Sequence, residues 1–178
     1  MKNSKIYDVV LIAIMAAVLC VASPFSLPIG PVPISLATFV IYLLVFPLGW
    51  KKGTLSCLVY IAIGLVGVPV FSGFSGGVGK VLGPTGGYLL GYIAIAILAG
   101  IFVEKFANNH ILHFVGMILG TLICYGFGTA WLAYQAGMSF VAALGAGVIP
   151  FIPGDLVKMI VACLIGPVLA KQMKRIRP

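Results

Sequence analysis

Six long apolar runs follow one another along this chain, with few charged residues inside them. They span roughly residues 7–23, 34–49, 53–70, 86–103, 111–132 and 150–170. Each run approaches the ~20 residues that a helix needs to cross a bilayer. Charged residues make up 8% of the 178 residues, which is too little polar surface for a water-soluble domain of this size. The pattern predicts an all-α integral membrane protein, in which residues 1–178 form a single domain of six transmembrane helices.

Lysine and arginine concentrate at the termini and in the 2–3 and 4–5 loops between the runs. These basic residues are Lys2, Lys5, Lys51, Lys52, Lys105, Lys171, Lys174, Arg175 and Arg177. Six spans bring all of these segments to one side, and basic residues favour the cytoplasmic side of a membrane. We therefore expect both termini to be cytoplasmic. The net charge of +8 follows from this topology, and no basic stripe interleaved with aromatic residues indicates a nucleic-acid partner.

The loops expected on the other side have a different composition. Residues 24–33 are rich in proline, residues 71–87 are rich in glycine, and residues 133–149 are small and nearly uncharged. Irregular backbone near a bilayer must be buried in protein or line a cavity. We expect these loops to form a lid over a site.

Asp155 and Lys158 introduce two ionisable groups into the last apolar run. Pro153 and Gly154 open this helix, and the i,i+3 spacing places both groups on one face. An intramembrane charge costs roughly 2.5–3.5 kcal/mol on insertion scales, so a pair of charges calls for an explanation. One interpretation is a structural ion pair near the outer interface. We favour a solute-binding site, because an ion pair in lipid adds little stability.

The glycine-rich segments 73–80 (GFSGGVGK) and 83–88 (GPTGGY) invite comparison with phosphate-binding loops. They lack the Gly-Lys-Ser/Thr ending and the required glycine spacing of such loops. We interpret them as a loop whose backbone approaches a ligand. On the next helix, two tyrosines one turn apart would form a wall of the same site. The candidate ligand contacts are Gly79, Lys80, Thr85, Gly86, Tyr88 and Tyr92. A flexible turn, with the tyrosines anchoring the helix at the membrane interface, is the alternative.

The segment 73–76 (GFSG) also matches the Gly-x-Ser-Gly pattern of intramembrane serine hydrolases. Such a serine needs a histidine to activate it. His110 and His113 fall at the opposite end of the fifth run from this loop, so the pair cannot assemble. We predict no catalytic residues and no enzyme activity. The four cysteines lie inside apolar runs without the spacing of metal ligands, so no metal site is predicted.

Four segments resemble the BioY family, the biotin-specific substrate-binding subunits of energy-coupling-factor (ECF) transporters. They are residues 30–39 (GPVPISLATF), 67–71 (GVPVF), 83–92 (GPTGGYLLGY) and 151–158 (FIPGDLVK). The resemblance implies a six-helix, multi-pass subunit of the bacterial cell membrane, with no cofactor, that captures biotin from outside. It also implies a transmembrane coupling subunit and two cytoplasmic ATPases as partners. The family's Ala-x-x-x-Ala contact surface for the coupling subunit falls on Ala13 and Ala17, whereas Ala37 departs from the family's frequent glutamine.

Biotin suits the polar pair chemically. Asp155 can accept a hydrogen bond from a ureido N–H, and Lys158 can donate to the ureido oxygen or keep Asp155 ionised. One face of one helix cannot hold both ends of extended biotin, so we expect its carboxylate at Lys80, at loop N–H groups or in water. The alternative ligand is another vitamin or small solute bound by the same architecture.

Overall fold

The computed structural model describes residues 2–28, 31–107 and 109–176. Its helices are α1 Lys2–Ala22, α2 Ala37–Leu65, α3 Val78–Leu82, α4 Gly86–Lys105, α5 His110–Ala136, α6 Phe140–Gly147 and α7 Ile152–Ile176. Two short strands, β1 Ser26–Leu27 and β2 Ile34–Ser35, pair antiparallel between α1 and α2. Among these elements α1, α4, α5 and α7 are long and apolar enough to cross a membrane. The prediction of an all-α fold is confirmed, apart from the short strand pair.

The helix α2 is broken in its middle. Gly49 has a positive φ of 70° inside it. A methyl group at Gly53 would lie 3.1 Å from Leu44 Cδ1 and 3.8 Å from the Cα of Val45. Eight residues of a straight helix rise about 12 Å, so this contact requires the chain to fold back. The two halves of α2, residues 37–48 and 50–65, therefore pack against each other.

Acidic side chains hold the chain just after this break. Glu104, at the end of α4, accepts a hydrogen bond from the backbone amide of Trp50 at 3.1 Å. A carboxylate at the start of a helix satisfies a free N–H group and complements the helix dipole. Asp8 of α1 pairs with Lys52 at 2.6 Å. These contacts join α1, α2 and α4 at one end of the bundle.

Several helices of the structure end at other residues than the predicted spans. The prediction for residues 34–49 starts too early because residues 34 and 35 form β2. The prediction for residues 53–70 runs too far: the helix stops at Leu65, and Gly67 follows with a φ of 108° that ends it. The loop 71–87 contains α3, and the loop 133–149 contains α6. Ser139 explains the latter, because its hydroxyl caps α6 by accepting from the Ala142 amide.

Small residues allow α4 and α5 to approach each other closely. A methyl group at Gly120 would lie 2.8 Å from the Cα of Ile95, and one at Gly91 would lie 2.7 Å from the Cα of Cys124. Glycine at such positions lets two backbones pack without intervening side chains. The helix α2 contacts α1, α4 and α7. This arrangement brings the start of α2, the middle of α5 and the start of α7 together.

Candidate functional site: a buried polar cluster beside a narrow cavity

The first turns of α7 carry a buried acid–base pair. Lys158 Nζ lies 2.9 Å from Asp155 Oδ1, and their side chains are only 14% and 6% exposed. The helix begins at Ile152, so Pro153 falls in the first turn, where its missing N–H costs no hydrogen bond. Asp155 also lies in the first turn, where the helix dipole favours a negative charge. The i,i+3 spacing therefore brings the two groups together, as the sequence predicts.

Three residues that the sequence analysis missed complete this arrangement. Lys158 Nζ also donates to the backbone carbonyl of Ser35 at 2.8 Å and to Thr38 Oγ1 at 3.1 Å. Thr38 Oγ1 donates to Asp155 Oδ1 at 3.2 Å. The Tyr125 hydroxyl donates to Asp155 Oδ2 at 2.7 Å. We refer to Asp155, Lys158, Thr38, Ser35 and Tyr125 as the polar cluster.

No local pattern connects these additional residues to Asp155. Thr38 is 117 positions away and Tyr125 is 30 positions away. Ser35 and Thr38 fall inside the segment 30–39 that resembles the BioY family. That resemblance was the sequence evidence that could have identified them. The sequence signal for Tyr125 was its polar hydroxyl in an apolar helix, and that signal does not point to Asp155.

The polar cluster lines a narrow cavity between the helices. Tyr88 and Tyr92 of α4 form part of its wall, as do Val32 and Phe151. The open space amounts to about 40 Å³, which is room for a few water molecules. The Tyr88 hydroxyl donates to the backbone carbonyl of Gly147 at 2.9 Å, so α4 is tied to α6 at this wall. Four of the predicted contacts, Asp155, Lys158, Tyr88 and Tyr92, therefore come together around one cavity.

The other four predicted contacts lie outside this cavity. Gly79 and Lys80 are part of α3, and Thr85 and Gly86 lie at the start of α4. The side chain of Lys80 is half-buried, and burial lowers the pKa of its ammonium group. Thr85 is buried, and its hydroxyl has no hydrogen-bond partner within the described part of the chain. Contact between these four residues and a ligand stays a prediction.

The glycine-rich segment packs against α5. Trp131 Nε1 donates to the backbone carbonyl of Gly83 at 2.8 Å, and Gln135 Nε2 donates to that of Leu82 at 2.6 Å. A methyl group at Gly86 would collide with the Val81 carbonyl. These contacts fix the segment between α3 and α4 in place and require glycine at position 86.

The proline-rich and glycine-rich loops meet beside Lys158. The Gly73 amide donates to the Pro24 carbonyl at 3.0 Å. The rings of Phe25 and Phe74 pack edge to face with their centroids 5.5 Å apart. A second cavity of about 550 Å³ lies between these loops and is also lined by Lys158. Two of the three loops are therefore in contact, and their role as a lid stays a prediction.

His110 and His113 lie in the first turn of α5, whereas the glycine-rich segment contacts the last turns of that helix. His113 is buried, and its Nε2 lies 2.8 Å from the backbone carbonyl oxygen of Phe106. The hydroxyl of Ser75 donates to the backbone carbonyl of Ser72 instead. The four cysteines are free thiols. No group of three or more potential metal ligands occurs within residues 2–28, 31–107 and 109–176.

Comparison with known proteins assigns the chain to a family. A sequence model of the BioY family matches residues 1–175. The probable biotin transporter BioY of Pyrococcus horikoshii is 39% identical, over 90% of this chain and 94% of its own length. The biotin transporter BioY of Thermotoga maritima is 37% identical, over 89% of this chain and 92% of its own length.

A solved structure shares the fold. The crystal structure of the S-component for biotin from an ECF-type ABC transporter superposes with a TM-score of 0.88 at 31% identity, covering 96% of this chain and 94% of that one. These related proteins are transporters rather than enzymes, in agreement with the prediction from the sequence. Together with the four apolar helices, they identify a multi-pass membrane protein. The chain belongs to the BioY family.

Proposed function

We propose that this chain is the substrate-binding subunit of a biotin importer. In this proposal it captures biotin on the outer side of the membrane and delivers it together with a transmembrane coupling subunit and two ATPases. The polar cluster is the observation that carries the proposal: it holds the Asp155 carboxylate among apolar helices, next to a cavity. Membership of the BioY family and the likeness to a biotin S-component support the same function.

The chemistry of the cavity matches the parts of biotin. A ureido group offers N–H donors to the Asp155 carboxylate, and the thiophane ring suits apolar wall residues such as Ile95 and Phe151. The present open space is too small for the whole molecule, so part of the wall must move when biotin enters. The proline-rich loop is the part that we expect to move, because Val32 and Pro33 line the cavity from an irregular segment.

We extend the proposal to six membrane crossings within one domain and to cytoplasmic termini. The four long apolar helices account for four crossings, and the two halves of α2 supply the others because the chain folds back at Gly49. Both halves are shorter than the ~20 residues of a full span. Adjoining loop backbone would complete these crossings where it is buried in protein. The basic residues Lys51 and Lys52 follow the break and support its cytoplasmic location.

The first helix is the proposed contact surface for the coupling subunit. Ala13 and Ala17 are both exposed on α1, one turn apart. Small residues at this spacing let another helix approach closely. Larger apolar side chains on the same helix are also exposed, among them Val10 and Ile14. An exposed stripe of this kind agrees with an interface in the membrane.

Titration calorimetry of biotin into the purified subunit tests the proposed function. We expect saturable binding with one biotin per chain. Mass spectrometry of small molecules that remain bound through purification then identifies the natural ligand. Retention of a different vitamin would redirect the proposal to that ligand, and the absence of any binding would contradict it.

A further inference from the structure

All three N–H groups of the Lys158 ammonium are used in hydrogen bonds within the protein. A lysine ammonium carries three N–H groups and no acceptor. Lys158 Nζ has three acceptors within 3.1 Å: the Ser35 carbonyl, Thr38 Oγ1 and Asp155 Oδ1. No N–H of this group is left over for a ligand. Lys158 therefore supports the site by neutralising and positioning Asp155, and the ureido oxygen of a bound biotin needs another donor.

The two oxygens of Asp155 are occupied unequally. Within the described residues, Oδ1 accepts from both Lys158 and Thr38, whereas Oδ2 accepts from Tyr125 alone. A carboxylate offers about four lone-pair sites, two on each oxygen. The remaining acceptor site therefore lies on Oδ2, next to the Tyr125 hydroxyl.

We propose that Tyr125 is a specificity-determining residue, whose hydroxyl donates to the ureido oxygen while Asp155 Oδ2 accepts from the adjacent ureido N–H. This inference rests on the proposed function, since it takes biotin as the ligand. The Tyr125 oxygen and Asp155 Oδ2 are 2.7 Å apart. In a cyclic urea the N and O atoms of one edge lie about 2.3 Å apart by standard bond lengths. The donor and the acceptor of the protein thus match the acceptor and the donor of the ligand.

Ligand binding gives both Tyr125 and Asp155 a new hydrogen-bond partner. The Tyr125–Asp155 bond breaks, and two bonds to the ligand form in its place. A buried ureido oxygen without a donor would be costly. The Tyr125 side chain is half-buried and also lines an apolar groove of about 210 Å³ between α5 and α7, so its ring has space to turn.

The other hydroxyl groups around the cavity are less suited to this role. Thr38 Oγ1 is held from two sides, because it accepts from Lys158 and donates to Asp155. Thr121 donates to the Met117 carbonyl, and the Tyr88 hydroxyl donates to the Gly147 carbonyl. Tyr92 also lines the cavity, and it is the rival that the test includes.

The test compares biotin with thiobiotin, in which sulfur replaces the ureido oxygen and accepts hydrogen bonds weakly. Calorimetry is done with wild type, Tyr125→Phe, Tyr92→Phe and the control Tyr134→Phe, whose side chain is on the same helix as Tyr125 but 82% exposed. We expect Tyr125→Phe to weaken biotin binding about tenfold and thiobiotin binding less than about twofold. Tyr92→Phe and Tyr134→Phe should leave the preference for biotin over thiobiotin unchanged.

Equal losses for both ligands in Tyr125→Phe would overturn the inference, because they would show that Tyr125 only positions Asp155. An oxygen-selective loss in Tyr92→Phe would transfer the role to that residue. If wild type binds biotin and Tyr125→Phe binds it equally well, the proposed function stands and the inference fails. If wild type binds no biotin, both fail.

A second measurement needs no variant. The infrared carbonyl band of bound biotin labelled with ¹³C at the ureido carbon reports its hydrogen bonding directly. We expect a lower frequency than in an aprotic solvent, and an unshifted band would overturn the inference.

Discussion

Lys158 on α7 donates a hydrogen bond of 2.8 Å to the backbone carbonyl of Ser35, which lies 123 positions earlier in the chain. Ser35 is in β2, so the bond links the helix that carries Asp155 to the strand pair of the proline-rich loop. The same ammonium group neutralises Asp155. Variants of the pair must therefore be examined for both ligand affinity and folding.

The polar pair is expected to act as one unit in binding. Asp155→Asn removes a charge-assisted acceptor and should cost on the order of 1.5–3 kcal/mol, or roughly tenfold to a hundredfold in biotin affinity. Lys158→Met should cause comparable loss because it leaves Asp155 as an unpaired buried charge. The double variant should lose less than the sum of the two. Titration calorimetry together with thermal unfolding of each purified variant measures these effects.

A purely structural ion pair gives the opposite result. Both single variants would then lower the yield of folded protein, while the folded fraction bound biotin with unchanged affinity. Full affinity in a folded Asp155→Asn protein would remove Asp155 from the binding site.

Replacing Ala13 and Ala17 by tryptophan should abolish co-purification with the coupling subunit. Both positions are exposed on α1, and a close helix contact has no space for large side chains. Biotin binding by the isolated subunit should persist. The matched control replaces Leu119 and Ile123, an exposed i,i+4 pair on α5, by tryptophan and should leave the complex intact. Loss of biotin binding with retention of the complex would place α1 at the ligand instead.

Gly120→Ala should destabilise the protein by about 1–3 kcal/mol, because the added methyl group would lie 2.8 Å from the Cα of Ile95 and force α4 and α5 apart. Gly126→Ala is the control on the same helix. A methyl group there meets no atom within 4 Å, so this change should be neutral or slightly stabilising through helix propensity. Thermal unfolding in detergent compares the two, and equal effects would contradict the close packing of α4 and α5.

Lys80 is one of the three candidate partners of the biotin carboxylate, beside loop N–H groups and water, and binding by Lys80 would give a pH-dependent affinity. Burial lowers the pKa of this lysine, and only its protonated form attracts a carboxylate. Affinity should be full below the pKa of the ligand-free protein and decline as the pH rises through it, earlier than for a fully solvated lysine. Lys80→Met should bind more weakly and lose this decline. Biotin amide, which lacks the charge, should bind wild type and Lys80→Met equally, and unequal binding would contradict the assignment.

The proposed topology predicts which single cysteines react from outside the cell, once the four native cysteines are replaced. Cysteine in place of Val66, which is 86% exposed after α2, should react with an impermeant maleimide on intact cells. Cysteine in place of Gln172, which is exposed near the end of α7, should react only after permeabilisation. Reversed labelling would contradict both the cytoplasmic termini and the outward-facing site.

The sequence by itself determined the membrane class, the positions of most helices and the pairing of Asp155 with Lys158. These follow from local properties: apolar length, and the i,i+3 geometry of one helix. The ends of the helices were harder to predict from the sequence. Residues 34–35 form a strand, and the helix before Gly67 ends earlier than hydropathy indicates. Hydropathy reports the environment of a segment and carries little information about where its backbone hydrogen bonds stop.

Only the tertiary structure decided which groups surround Asp155. Thr38 and Tyr125 come from α2 and α5, and neither has a local pattern that predicts its contact with α7. The folding back of α2 at Gly49 and the glycine contacts between α4 and α5 contribute to the placement of these helices in the bundle. A hydrogen bond between distant residues depends on the packing of whole helices, whereas an i,i+3 pair depends on a single turn. For that reason the sequence supplied Asp155 and Lys158, and the fold supplied the hydroxyl groups that complete the cluster.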